Sequence, residues 1–152
     1  MWASIIAAAS ALVGVALSTV LQQRQAREVR AEARSEQARR DTLQAVTDLA
    51  TAVADHRRAM WVREEARLTG ASEQEIAALR AESHVTRSAI TAPHTTLTIL
   101  APALAEAADD AVAATYDMRG ATAMPALELL RGSAVAATNR FAAAARAALS
   151  AR

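Results

Sequence analysis

Residues 22–68 read QQRQAREVRAEARSEQARRDTLQAVTDLATAVADHRRAMWVREEARL, 47 residues without a glycine or a proline. Nothing in such a run breaks a helix. Its second half sets Leu43, Val46, Ala50 and Val53 at the three- and four-residue steps of one helical face, which Leu49 and Met60 broaden. A single uninterrupted helix is predicted, roughly 70 Å long at about 1.5 Å per residue. The fold class that follows is all-α.

On the N-terminal side lies MWASIIAAASALVGVALSTVL, residues 1–21, with no charged side chain. A helix of that length rises roughly 30 Å, the thickness of a bilayer's hydrocarbon core. Arg24, Arg27, Arg30, Arg34, Arg39 and Arg40 come immediately after it, and basic residues flanking an apolar span stay in the cytoplasm. A cleavable signal peptide would have a basic n-region and a shorter apolar core; this n-region has no basic side chain. The expected organisation is a transmembrane anchor over 1–21, a charged juxtamembrane helix over 22–42, and a cytoplasmic helical bundle over 43–152. The protein would then sit in the plasma membrane as a single-pass chain, N-terminus outside and C-terminus cytoplasmic. Ile5, Ile6, Leu12, Val13, Val15, Leu17, Val20 and Leu21 supply the insertion drive among near-neutral alanines, so a peripheral or oligomer-buried helix stays open as an alternative.

Within the span, Ser10, Gly14 and Ser18 recur every four residues, a small-residue face that lets membrane helices pack closely. Beyond it, Arg24, Arg27, Arg30 and Arg34 are read as topology determinants that also meet lipid headgroups, at roughly 1 kcal/mol per near-surface Arg. Glu28, Glu32 and Glu36 offset half of the six arginines between 24 and 40, and no aromatic or glycine interleaves them. Direct nucleic-acid binding is therefore not expected.

On the C-terminal side, Gly70 marks a turn, and Ser72 with Glu75 forms a capping box ahead of Ile76, Leu79 and Ile90. Thr95, Thr96, Thr98 and Ile99 are β-branched and Pro93 lacks a donor, so a kinked helix and an extended stretch are both consistent with 91–101. Pro102 suits the first turn of a further helix running through Leu104, Ala108, Ala111, Thr115 and Met118 to Gly120. From about Pro125, Leu127, Leu130, Ala134, Ala137, Phe141, Ala144 and Ala148 alternate steps of three and four. Helices joined by short turns predict an antiparallel bundle, packed through Leu43, Val46, Val53, Met60, Leu127, Leu130 and Phe141. So alanine-rich a core buries little apolar area, and self-association through coiled-coil-like faces into a homo-oligomer is the expected remedy.

Chemistry is harder to find. The chain has no cysteine, and its three histidines, His56, His84 and His94, are not preceded by glutamate three positions earlier, as di-iron bundles require. There is no HExxH, glycine-rich phosphate loop or nucleophile elbow. No catalytic residue, cofactor or metal is expected, and the protein is read as a non-enzyme whose activity rests on anchoring and packing and on no single ionisable side chain. A formal charge of +1 gives no general pull toward polyanions.

Several stretches resemble the KilB-like small membrane proteins of actinobacteria. They are the opening Met1-Trp2, Gln22-Gln23-Arg24 at the edge of the span, Asp55-His56-Arg57-Arg58-Ala59, Arg80-Ala81-Glu82-Ser83, and residues 101–108, APALAEAA. The resemblance implies a role in spreading conjugative plasmids through mycelium beside a DNA translocase, with no active site to carry over. The expected function is a membrane-anchored, self-associating helical scaffold or accessory protein of plasmid transfer. The alternatives are a membrane-bound signalling or effector-responsive helical module, favoured by any polar ligand pocket inside the bundle, and an oligomeric pore.

Overall fold

The computed structural model describes the backbone of residues 2–150 and the side chains of residues 25–150. The elements are α1 (Trp2–Leu68), α2 (Glu73–Leu100), a 3₁₀ turn (Pro102–Leu104), α3 (Ala105–Tyr116) and α4 (Met124–Ser150). No strand occurs among the described residues. The chain divides into two compact units, residues 1–39 and 40–152. In the first, the described side chains of residues 27–39 are all exposed. The second holds the core.

Among the described residues, no helix is long and apolar enough to cross a membrane. The expected anchor over 1–21, its Ser10, Gly14 and Ser18 face, and Arg24 lie outside the residues whose side chains are described.

The turns follow from the residues that make them. At the end of α1 the Ala71 amide reaches back to the Ala66 carbonyl at 2.9 Å. Gly70 supplies the required left-handed backbone at φ +79°, the usual chemistry of a helix C-terminus. Ser72 accepts from the Glu75 amide at 3.2 Å and caps α2. Gly120, at φ +76°, serves the turn between α3 and α4.

Pro93 neither ends nor unwinds α2, which runs helical to Leu100. Of the two conformations the sequence allows for 91–101, the extended one is thereby excluded. A proline inside a helix costs about 3 kcal/mol through its missing donor and ring clash. Burial on either side of it offsets that cost: Ile90 and Leu97, two turns apart, are both fully buried. Thr95 and Thr98 fold their hydroxyls back onto the carbonyls of Thr91 and His94 at 2.9 and 2.8 Å, so the β-branched run satisfies itself locally. The helix stops where Pro102 pushes Ala101 out of helical backbone, to φ −140° and ψ 70°.

Cross-links show the helices to be antiparallel neighbours. His56 meets Thr86 while Arg63, further along α1, meets Ser83, earlier in α2. Arg57 bonds Thr138 while Arg131 stacks on Trp61, which orders α1 against α4 in the same way. His94 with Asp109 and Arg87 with Tyr116 do so for α2 and α3.

One end of the core is apolar, built from Leu49, Val53, Ile90, Leu97, Leu104 and Phe141 with interleaved alanines. A smaller cluster joins Met60, Met118, Leu127 and Ala134. Leu43 is a correction: expected at the packing face, it is 53% exposed. The inward stripe of α1 runs instead through Thr42, Ala45, Leu49, Ala52 and Val53. Small and weakly apolar residues set that phase, and the larger Leu43 falls just off it. Val46 and Leu130 are half-buried, whereas Val53, Met60, Leu127 and Phe141 are buried.

Candidate functional site

Past Val53 the inward stripe of α1 mixes polar with apolar residues. His56, Ala59, Met60 and Glu64 all lie below a tenth exposed, at the same three- and four-residue steps as the apolar positions before them. Opposite them α2 presents Arg80, Ser83, His84 and Arg87, likewise one helical face. The end of α3 adds Tyr116, and the following turn adds Arg119. With His56, Met60 and Arg63 of α1, these side chains of α2 and the α3 end line a cleft of about 270 Å³ that holds four arginines and two histidines and no carboxylate.

The floor is well ordered by its bonds. His56 Nδ1 lies 2.9 Å from the Thr86 hydroxyl, which sits within donating distance of the Glu82 and Ser83 carbonyls. The Tyr116 ring meets His56 edge-on, 5.4 Å between centroids and 78° between planes, and Arg87 stacks on that same ring at 4.5 Å. Ser83 donates to the Arg80 carbonyl at 2.8 Å and accepts from Arg63 Nη1 at 3.3 Å.

Compensation for the positive charge is partial. Glu64, fully buried behind the cleft, pairs with Arg67 Nε at 2.8 Å and more loosely with Arg63 Nε at 3.5 Å. Its Oε1 accepts no hydrogen bond. Arg67 also donates to the Ala121 carbonyl, tying α1 to the α3–α4 turn. Arg80, Arg87 and Arg119 pair with no carboxylate among the described residues.

The resulting field acts on the groups inside it. Burial first, then the charges of Arg87, Arg63 and His84, lower the His56 imidazole to about 4, so it is neutral at physiological pH. Burial also lowers Arg63; Glu64 opposes the shift, while Arg119, Arg80 and Arg67 add to it. Guanidinium groups gathered in this way suit an acidic partner, because each presents a planar fork of donors matched to oxyanion geometry.

The sequence-predicted residues fall elsewhere, with one exception. Arg27, Arg30 and Arg34 are exposed in the first unit. Met60 belongs both to the apolar cluster and to the wall of the cleft. His56 and His84, whose spacing in the sequence offers no metal-ligand pattern, line the cleft, and no group of three His, Cys, Asp or Glu among the described residues could hold a metal ion. The missed signal is the cationic repeat Arg80, His84, Arg87 at steps of four and three, in phase with the buried Ser83, Ile90 and Leu97.

Comparison with known proteins gives two matches. A family model described as KilB plasmid transfer protein matches residues 43–149. Protein KilB of Streptomyces lividans is 50% identical over 145 residues, covering 95% of this chain and 96% of the relative. No solved structure matches.

Proposed function

We propose, from the premise that this chain belongs to the KilB plasmid transfer protein family, that it is a membrane-anchored, self-associating helical accessory of conjugative plasmid spread. The single observation carrying this reading is the likeness to Protein KilB along nearly the whole of both chains. The uncharged 1–21 followed by six arginines supports an N-out, C-in anchor. Self-association is supported by an alanine-rich core beside which Val85, Ile99 and Leu129 are each at least 70% exposed. The activity needs no catalytic step; in this reading the chain works by assembly, beside a DNA translocase.

The test is complementation in mycelium carrying a plasmid that lacks this gene. Full-length chain is expected to restore spread through the recipient and to sediment with membranes, whereas residues 22–152 alone are expected to do neither. Full restoration by 22–152 would overturn the anchoring reading. The cationic cleft favours a second reading, in which the same bundle responds to an acidic effector.

A further inference from the structure

We propose that the cleft between α1, α2 and the α3–α4 turn is a binding site for one small, multiply charged oxyanion of the phosphate class, held by Arg80, Arg87 and Arg119 over a floor of Arg63 and His56. The proposal deepens the effector-responsive reading and is independent of the plasmid role.

Convergence is the first argument. Arg63, Arg80, Arg87 and Arg119 come from three different elements and face one volume of about 270 Å³ with no carboxylate in its lining. Like charges brought together in a fold cost stability, yet here Glu64 offsets only the arginine at the floor. A dianion or a more highly charged group placed among them would relieve that cost and gain charge-assisted hydrogen bonds. Partial commitment is the second argument. Arg63 and Arg87 are held in place, by Ser83 and by the Tyr116 ring, while Arg80 and Arg119 are exposed with no partner carboxylate. Two fixed and two adaptable guanidiniums make a clamp, set to close on an arriving ligand.

The size and shape select a small ligand. Phosphates of a nucleic-acid backbone are met by cations spread along a track, whereas these converge on a single concavity. A phosphomonoester or diphosphate group fits that arrangement, whether free in solution or carried by a lipid headgroup. The His56 imidazole is depressed first by its burial and then by Arg87, Arg63 and His84, and that second contribution has the sign of the same positive potential.

The experiment is a calorimetric titration of full-length protein in mild detergent with inorganic pyrophosphate at low ionic strength. One saturable site per chain is expected. Arg80→Gln with Arg119→Gln should weaken it by about tenfold or more, and Arg80→Lys with Arg119→Lys by less, because an ammonium keeps the charge but loses the fork. Arg27→Gln with Arg30→Gln removes the same charge from the other unit and should leave affinity unchanged. Far-UV circular dichroism confirms that each variant remains helical. Absence of saturable binding by the wild-type protein, or equal weakening by the Arg27 and Arg30 pair, would overturn the proposal. A second arm repeats the titration in phosphatidylcholine vesicles with or without phosphatidic acid. Competition by phosphatidic acid assigns the site to a headgroup and unchanged affinity assigns it to a soluble phosphate, each consistent with an oxyanion site.

Discussion

Two consecutive stretches of the same helix stripe divide the labour of the bundle. From Ala45 to Val53 the inward residues of α1 meet Ile90, Leu97, Leu104 and Phe141 in a dry, alanine-laced core. From His56 to Glu64 the same stripe meets Ser83, Thr86 and a set of arginines. The geometry is continuous while the chemistry changes within one turn. Apolar burial contributes about 25 cal/mol per Å², so the first stretch holds the fold. The second buries a carboxylate and an imidazole whose desolvation works against folding. Its retention is understandable if the polar end serves binding.

Destroying the apolar end should have the largest effect. Phe141 is the biggest fully buried side chain among the described residues, and Phe141→Ala is expected to cost about 3 to 5 kcal/mol, a large share of the 5–15 kcal/mol typical of a domain. Urea denaturation of the full-length protein in mild detergent, followed by circular dichroism, measures it. A loss below about 1 kcal/mol would show that the apolar end does not carry the stability.

At the polar end, acid is the sharper probe. His56 is lowered to about 4 in the fold from an ordinary 6.5. The unfolded chain therefore binds the extra proton first, and stability that is fully present above pH 6.5 falls as pH drops toward 4. Besides the Tyr116 ring and the Thr86 hydroxyl, His56 meets the charges of Arg87, Arg63 and His84, all of which disfavour its protonation. Over that window the wild-type protein is expected to lose about 3 kcal/mol more than His56→Gln. Saturating pyrophosphate should shrink the difference, since a bound anion favours the imidazolium. Parallel pH profiles for the two proteins would contradict the account.

The two ends also differ in how legible they were. Helix existence, the Ser72 cap and the α4 repeat could be read because glycine, proline and 3-4 hydropathy speak directly for them. Leu43 misled, since residue size dominated a face whose true phase is written in Thr42, Ala45 and Ala52. Around Pro93 local chemistry left two answers, and only the tertiary burial of Ile90 and Leu97 selects the helix. The cleft was illegible for a different reason. Its arginines come from residues 63, 80, 87 and 119, and only the chain reversals at Gly70 and at the Pro102–Leu104 turn bring those positions together. Arginine on a helix usually means a solvated face, and nothing local distinguishes one aimed at a cavity.

The smallest effect tests the central claim most directly, that the polar end gives up stability to keep an anion site. Thermal unfolding of the full-length protein should be compared with Arg80→Gln/Arg119→Gln, each without and with millimolar pyrophosphate. Without the anion the double variant should be the more stable by up to about 1 kcal/mol, because exposed like charges are removed. With pyrophosphate the wild-type melting temperature should rise by ligand linkage and that of the variant should rise clearly less. A variant that melts lower without the anion, or an equal rise in both proteins, would contradict it.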